Sequence, residues 1–425
     1  MFQFSHMSIM GLRRPLVRII ILGCLVITSL LVLSFQGHGV KAATVCSAKS
    51  YGATGNGTTK DTAALQKAIN ACAGGGTVEL TSGKYLSGSL TLPGNITFQI
   101  DSGATLLASQ SASDYPANGS DLQALLLAHG SNVTITGGGT IDGQGAPWWS
   151  EIDAEKAAGQ TLSPRPPLID LESVTTATIS NITLKNAPNM HITMKKSSEV
   201  TITGITISSP SNSPNTDGID VWASSYVSVT NSTIDDGDDD IAIDSSPSDG
   251  PAHDISLSSC TILHGHGLSI GSYTGGGVYN VNIHNDTLTN TEIGVRIKSA
   301  RGRGGEVHNI TYTHLTMTNV QMPIQITAYY PSIPAESDPP QPVTSTTPNY
   351  HDITISKITA TGATSAGEII GVPEQPIVNL TLSSVNITAT TGLTVRNATV
   401  TATSTTISVS SGSAYILQTG GVVNT

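Results

Sequence analysis

The sequence predicts an all-β fold, a parallel β-helix with a short helix at its N-terminal end, on three observations. The first is a recurring triplet: Val133-Thr134-Ile135, Ala177-Thr178-Ile179, Val200-Thr201-Ile202, Val227-Ser228-Val229, Ile255-Ser256-Leu257, Val281-Asn282-Ile283, Ile310-Thr311-Tyr312, Ile353-Thr354-Ile355 and Leu380-Thr381-Leu382. The central residues step by 44, 23, 27, 28, 26, 29, 43 and 27. A unit of this size cannot bury its own apolar face and has to stack on its neighbours. The second is the alternation of Val/Ile with Thr/Ser/Asn, which suits strands with one face inward and one outward. The third is composition: of 425 residues 43 are Gly, only 12% are charged and 4% are aromatic. That mixture argues against a helix bundle, a coiled coil or a charged disordered tail.

Other repeat architectures fit less well. Ankyrin and tetratricopeptide units need helical periodicity, propeller blades are longer and antiparallel, and leucine-rich repeats need regular Leu positions. A parallel β-helix remains, with Gly, Asn and Asp at corners where a positive φ is often needed. The two long steps fit single coils that carry inserted loops, one of them the Pro-rich stretch Pro331–Tyr350.

Residues 1–42 read as an export signal. Arg13, Arg14 and Arg18 precede an apolar run from Ile19 to Phe35, and Val40-Lys41-Ala42 offers a small-x-small cleavage site. A membrane anchor is the alternative, because the run approaches spanning length. Cleavage removes four cations and no acid, taking the formal charge from −11 to −15. A chain this acidic disfavours nucleic acid as a partner, and an acidic ligand requires a local basic cluster. No stable membrane association after cleavage, a secreted location and a monomer are expected. Residues 44–425 read as one domain. Asp61 to Cys72 is the one clear amphipathic helix; it begins at Asp61 as N-cap and caps the open end of the solenoid. Cys46 and Cys72 flank this segment and can close a disulfide, while Cys260 reads as a buried small hydrophobe. No Cys/His spacing suggests zinc, and neither a metal nor a cofactor is expected.

Four polar clusters interrupt the central coils: Asn215-Thr216-Asp217, Gly237-Asp238-Asp239-Asp240, Gly265-His266-Gly267 and Arg296-Ile297-Lys298. Asp217, Asp238, His266 and Arg296 are separated by 21, 28 and 30 residues. Those are coil lengths, so the clusters are expected to converge on one patch of outer wall. Crowding Asp217, Asp238 and Asp239 raises at least one pKa, as a general acid requires. Two carboxylates with a third nearby suit glycosidic cleavage. Arg296 and Lys298 alternate with an inward Ile297, so both face out as a fork for a carboxylate-bearing sugar. His266, between two glycines, can tune the acid's protonation. His191, one coil before Asp217, is a candidate to line a subsite. Singly, each cluster has a plainer reading: Asp-rich corners as turns or calcium sites, a lone His as structural, a cation pair as a solvated face. Their register in one column favours function.

The set Asn-Thr-Asp, Asp-Asp, Gly-His-Gly, Arg-Ile-Lys, in this order, resembles the polygalacturonases of glycoside hydrolase family 28. The likeness extends over Tyr51-Gly52-Ala53, Gly139-Thr140-Ile141-Asp142-Gly143-Gln144-Gly145, Trp148-Trp149 and Arg165-Pro166. The resemblance implies a right-handed parallel β-helix of the pectin-lyase-like kind and inverting hydrolysis of α-1,4-galacturonan, with polygalacturonate as partner. It implies Asp238 as general acid, Asp217 and Asp239 as the pair activating water, and His266 as assistant to the acid. Arg296 and Lys298 would hold the galacturonate carboxylate. Asn215 would hydrogen-bond substrate, and Tyr330 would contact it, with adjacent Tyr329 leaving the register open. The family commonly carries Cys where this chain has Asp240, bridged to a Cys near Gly-His-Gly, so Cys260 lacks that partner; Asp240 is taken as structural. Asp244 stands where a basic residue is frequent. Alternatives from the residues are an exo-acting or rhamnogalacturonan-cleaving sibling, a calcium-dependent pectate lyase and a noncatalytic β-helix surface protein. The sequons at Asn56, Asn95, Asn118, Asn132 and Asn181 are read as repeat corners.

Overall fold

The central residues of the predicted triplets form a continuous column. Thr134 pairs with Thr178, Thr178 with Thr201, and the series continues through Ser228, Ser256, Asn282, Thr311 and Thr354 to Thr381. The computed structural model describes residues 44–425; the expected signal peptide at 1–42 lies outside them. Among the described residues, thirty-two strands join one sheet whose strand pairings are all parallel, each strand bonding to its counterpart one coil on. The inward flanks Val133, Ile135, Ile179, Ile202, Val229, Leu257 and Ile355 are at most 1% exposed. Burying each Val, Ile or Leu contributes about 1.5–3 kcal/mol, and a one-residue slip would turn every one of them outward.

Asparagine makes the corners. Asn95, Asn132 and Asn181 adopt φ of 55, 58 and 53°, and Asn231, Asn280 and Asn309 do the same on later coils. Asn tolerates this left-handed conformation where bulkier residues are strained. The corners also bond in ladders, Asn132 Nδ2 donating to Asn95 Oδ1 at 2.9 Å and Asn309 Nδ2 to Asn280 Oδ1 at 2.6 Å. Two of the sequon asparagines are not such corners: Asn56 holds its own turn by accepting from Thr58 N and Thr59 N, and Asn118 lies in a two-residue hairpin strand.

Helix α1 (Thr62–Cys72) buries Leu65, Ala68, Ile69 and Cys72, the i, i+3, i+4, i+7 stripe of an amphipathic cap. Cys46 and Cys72 are bridged. Asp61 does not cap the helix with its side chain. Its carboxylate accepts instead from Thr54 N at 2.7 Å, Thr54 Oγ1 at 3.0 Å and Gly55 N at 3.0 Å, tying down the preceding loop. A second helix, α2 (Ala146–Ala158), fills the first long step and was not expected. It has a Pro in its first turn and a left-handed Gly159 at its end, but it buries only Trp148 and Ile152, too few positions to print a stripe in the sequence. The second long step is the Pro331–Tyr350 insertion, as expected. Cys260 is buried and unbridged, and burial pushes its thiol up to about 12.

Candidate active site

Five stacked strands carry the site: β1 (Ile219–Trp222), β2 (Ile241–Ser245), β3 (Leu268–Thr274), β4 (Ile293–Lys298) and β5 (Met322–Thr327). Asp217, Asp238, Asp239 and His266 lie in the turns entering β1, β2 and β3, whereas Arg296 and Lys298 lie within β4. The expected one-coil step from His266 to Arg296 is therefore corrected: Arg296 pairs with Ser269, three residues beyond His266. The groups still converge, because Asp239 reaches past Ser269 to the cations. The glycines beside His266 are sterically required. Gly265 and Gly267 have φ of 108 and 92°, and a Cβ on Gly267 would lie 2.2 Å from Ile293 O.

Asp238 and His266 form a pair. The Nδ1 of His266 is 2.9 Å from Asp238 Oδ1, and the His266 N–H donates to Asp238 O at 2.6 Å. Burial works to raise the Asp238 carboxyl, but the His266 hydrogen bond and charge, with Lys298, outweigh it and hold it below the usual aspartate range. That same bond raises the His266 imidazole against the opposing effect of burial. Among the three acids expected to crowd, Asp217 carries a raised carboxyl. Burial is the main cause there, followed by the charges of Asp220, Asp238 and Asp239.

Asp239 is held between cations. Arg296 Nη1 donates to Oδ1 at 2.9 Å, Ser269 Oγ to the same oxygen at 2.9 Å, and Lys298 Nζ to Oδ2 at 2.5 Å. Ile297 between them is fully buried, as the alternation required. The Tyr330 ring lies 4.9 Å from Lys298 Nζ and 5.6 Å from Arg296 Cζ. Tyr329 lies between Arg301 and Arg396 and bonds Asp338, so of the two tyrosines it is Tyr330 that faces Arg296 and Lys298. Asn215 donates to Asp238 Oδ2 at 3.5 Å and accepts from Arg165 Nη2 at 2.9 Å, while Arg165 Nη1 grips the carbonyls of Pro188 and Pro214.

His191 does not line a subsite. It is fully buried, with Nδ1 3.1 Å from Asp217 O and Nε2 3.0 Å from Ser209 Oγ. Burial lowers its pKa to about 4, so it is neutral and supports the backbone of Asp217 from behind. Asp240 is buried beneath the site: its Oδ2 accepts Gly267 N at 2.9 Å and its Oδ1 has no protein partner. Neighbouring Asp236 accepts Asp238 N at 3.2 Å, and burial raises both carboxyls well above the usual range. Their hydrogen bonds fix the two turns that carry Asp238 and His266. Asp244 accepts Tyr273 N at 2.7 Å, and burial pushes its carboxyl up to about 7.

Sequence reasoning missed Asp220, Ser269, Gln325 and Glu292. Asp220, Ala242, Ser269, Arg296, Gln325 and Glu368 form one outward column, rung by rung. Gln325 accepts Arg296 Nε at 3.0 Å and donates to Glu368 at 2.8 Å, and Glu292 lies 3.3 Å from His266 Nε2. Carrying the triplet register across to this second strand face would have placed Asp220 in the column. A cavity of about 480 Å³ runs from Asp220 past Trp222, Lys195 and Met190 to Asp170. Asp238, Asp239 and His266 each offer a ligand atom within 4.8 Å of the others, but a metal there would compete with Arg296 and Lys298 for Asp239.

The pattern of "Glycosyl hydrolases family 28" matches residues 72–417. An endo-polygalacturonase of Pectobacterium carotovorum subsp. carotovorum is 32% identical over 363 residues, covering 80% of this chain and 87% of its own. An exopolygalacturonase of Zea mays is 35% identical over 260 residues, covering 58% and 60%. The structure of a polygalacturonase from Erwinia carotovora ssp. carotovora superposes with a TM-score of 0.70 at 28% identity, over 91% of this chain and 98% of that one. The fold is the right-handed parallel β-helix. A family match over most of the sequence, on a solenoid that gathers three carboxylates, an imidazole and two cations, shows that this chain is a glycoside hydrolase and belongs to glycoside hydrolase family 28.

Proposed function

We propose that this chain is an exported polygalacturonase that hydrolyses α-1,4-galacturonosidic bonds of pectin by single displacement with inversion. The observation that carries the reading is the Asp238–His266 pair at 2.9 Å beside Asp217 and the cation-bound Asp239. A proton shared by carboxylate and imidazole is available to the leaving oxygen, with Asp238 as the acid that delivers it. Asp217 and Asp239 flank the place for a water and orient it for attack. Arg296 and Lys298 carry unused N–H groups beyond Asp239, and these, with the Tyr330 face, suit a sugar carboxylate. Asn215 steadies the acid's outer oxygen. The n-, h- and c-region order at the start of the sequence and the Cys46–Cys72 bridge support export to an oxidising compartment.

The test is Asp238→Asn. The variant is expected to lose reducing-end release from polygalacturonate while its melting curve stays that of the parent protein; parental activity would remove Asp238 from the acid's role. NMR of the first-formed product decides the stereochemistry, an initial β-anomer supporting inversion. An unsaturated, chelator-sensitive product would point instead to elimination.

A further inference from the structure

A cavity of about 820 Å³ lies away from the acids, where the Pro331–Tyr350 insertion meets the last coils. Its lining includes Pro339, Pro373, Arg396, Asn397, Gln418 and Thr419. Arg396 is 1% exposed. Its Nη1 donates to the carbonyls of Pro334 at 2.9 Å and Ala335 at 3.2 Å, and its guanidinium faces the Tyr329 ring at 5.8 Å. Nε and Nη2 are buried and have no acceptor. These two N–H groups form the side of the guanidinium fork that a carboxylate takes bidentately. The acids on the lining do not supply one. Asp338 is taken by Arg301 at 2.6 Å, and Glu336 is exposed and makes no bond to Arg396.

A cation buried without an anion costs several kcal/mol, so the free edge of Arg396 marks a place for a negatively charged group. Its position says which. Lys298 pairs in register with Thr327, Thr327 with Ile370 and Ile370 with Arg396. Arg396 therefore stands on the same outer column as Lys298, three rungs on, at ~4.8 Å per rung or about 14 Å, on the order of three sugar units. Between them lie Tyr330, against Lys298, and buried Tyr329, against Arg396.

We propose that the Arg396 cavity is a second carboxylate site, which grips a uronic-acid unit of the same polysaccharide about three units from the cleaved bond. Gln418 and Thr419, exposed at the mouth, are the side chains that give way to it. The proposal rests on the polygalacturonase reading above. It goes beyond that reading because short substrates, which cannot reach three rungs along the column, are handled without it.

The experiment compares initial rates on long polygalacturonate and on trigalacturonate for the parent protein, Arg396→Gln and Gln418→Glu. Losing one charge-assisted pair is expected to raise the polymer KM about 10-fold, with polymer kcat and both trigalacturonate constants unchanged. A residue that only braces the insertion would move both substrates together. Gln418→Glu places an anion at the exposed mouth without disturbing buried contacts, so it decides the matter if Arg396→Gln folds poorly. An unchanged ratio of polymer to trigalacturonate KM in Gln418→Glu, or in a folded Arg396→Gln, overturns the second site while leaving the catalytic reading intact. A parent protein inactive on both substrates overturns both.

Discussion

Lys298 donates to Asp239 Oδ2 at 2.5 Å, with side chains 6% and 5% exposed. With Arg296 and Ser269 on the other oxygen, the carboxylate is enclosed on both sides. The two cations expected to await substrate are thus already committed to the protein. A sugar carboxylate arriving there meets one net positive charge spread over a fixed donor array rather than two bare cations.

Removing one cation should therefore cost stability as well as activity. Breaking a buried ion pair typically costs about 3–5 kcal/mol because a charge is left uncompensated. In Lys298→Met, Arg296 and Ser269 still hold Asp239, so a loss of about 1–3 kcal/mol is expected. The double variant Lys298→Met/Asp239→Asn leaves the buried Arg296 without its carboxylate, so it should recover none of that loss in denaturant titrations and none of the activity. Recovery of activity would show that Asp239 serves only to neutralise the cations.

The pH profile should be bell-shaped with assignable limbs. Asp217 must be ionised to orient water, and its carboxyl is raised by burial and neighbouring acids, so activity falls as pH drops through a value well above the usual aspartate one. The Asp238–His266 pair must hold a proton, and His266 is raised by its bond to Asp238, so activity falls as pH climbs through a value above 6.5. In His266→Asn the proton has only Asp238 to rest on. The alkaline limb of kcat/KM should move toward acid by at least about one pH unit, with a rate loss of about 10²–10⁴-fold. An unmoved limb would exclude His266 from the proton's path.

Tyr330 offers its ring face to Lys298, Arg296 and Arg303. A cation–π contact is worth about 0.5–2 kcal/mol and uses the ring rather than the hydroxyl. Tyr330→Phe should then stay within about 3-fold of the parent kcat/KM, and Tyr330→Ala should lose about 10-fold. Equal losses in both would assign the effect to the hydroxyl.

What could be read from the sequence was what recurs. The β-branched triplets carry their register in plain form because each coil repeats the same steric problem, so the column from Thr134 to Thr381 is predictable residue by residue. The polar clusters were legible as interruptions of that pattern but not in exact register, since Arg296 pairs with Ser269 rather than His266. What was not legible depends on partners distant in sequence. That Asp239 rather than solvent meets Lys298, that His191 has both ring nitrogens satisfied, and that Asp217 rather than Asp238 is raised are all set by packing between coils. Helix α2 escaped for the opposite reason: it touches the solenoid at so few positions that it leaves no period.

Asp286 links stability to pH away from the site. It is 1% exposed; Oδ1 accepts Cys260 N at 2.7 Å and Oδ2 has no protein partner. Burial pushes its carboxyl up to about 7 from an ordinary 3.8. In the unfolded chain it ionises near the ordinary value, so between these two pH values the folded state binds the extra proton. Stability then declines as pH rises through that window and levels off above it. Asp286→Asn keeps an oxygen for Cys260 N and cannot ionise. At about pH 4 it should match the parent or fall slightly below it. Near pH 8 it should be the more stable, by at most a few kcal/mol, since a tenfold change in proton affinity is worth about 1.4 kcal/mol. Melting curves of the two proteins across that range should cross, the parent falling and the variant staying flatter. Parallel curves would mean that the ionised carboxylate is satisfied in the fold and that Asp286 carries no such penalty.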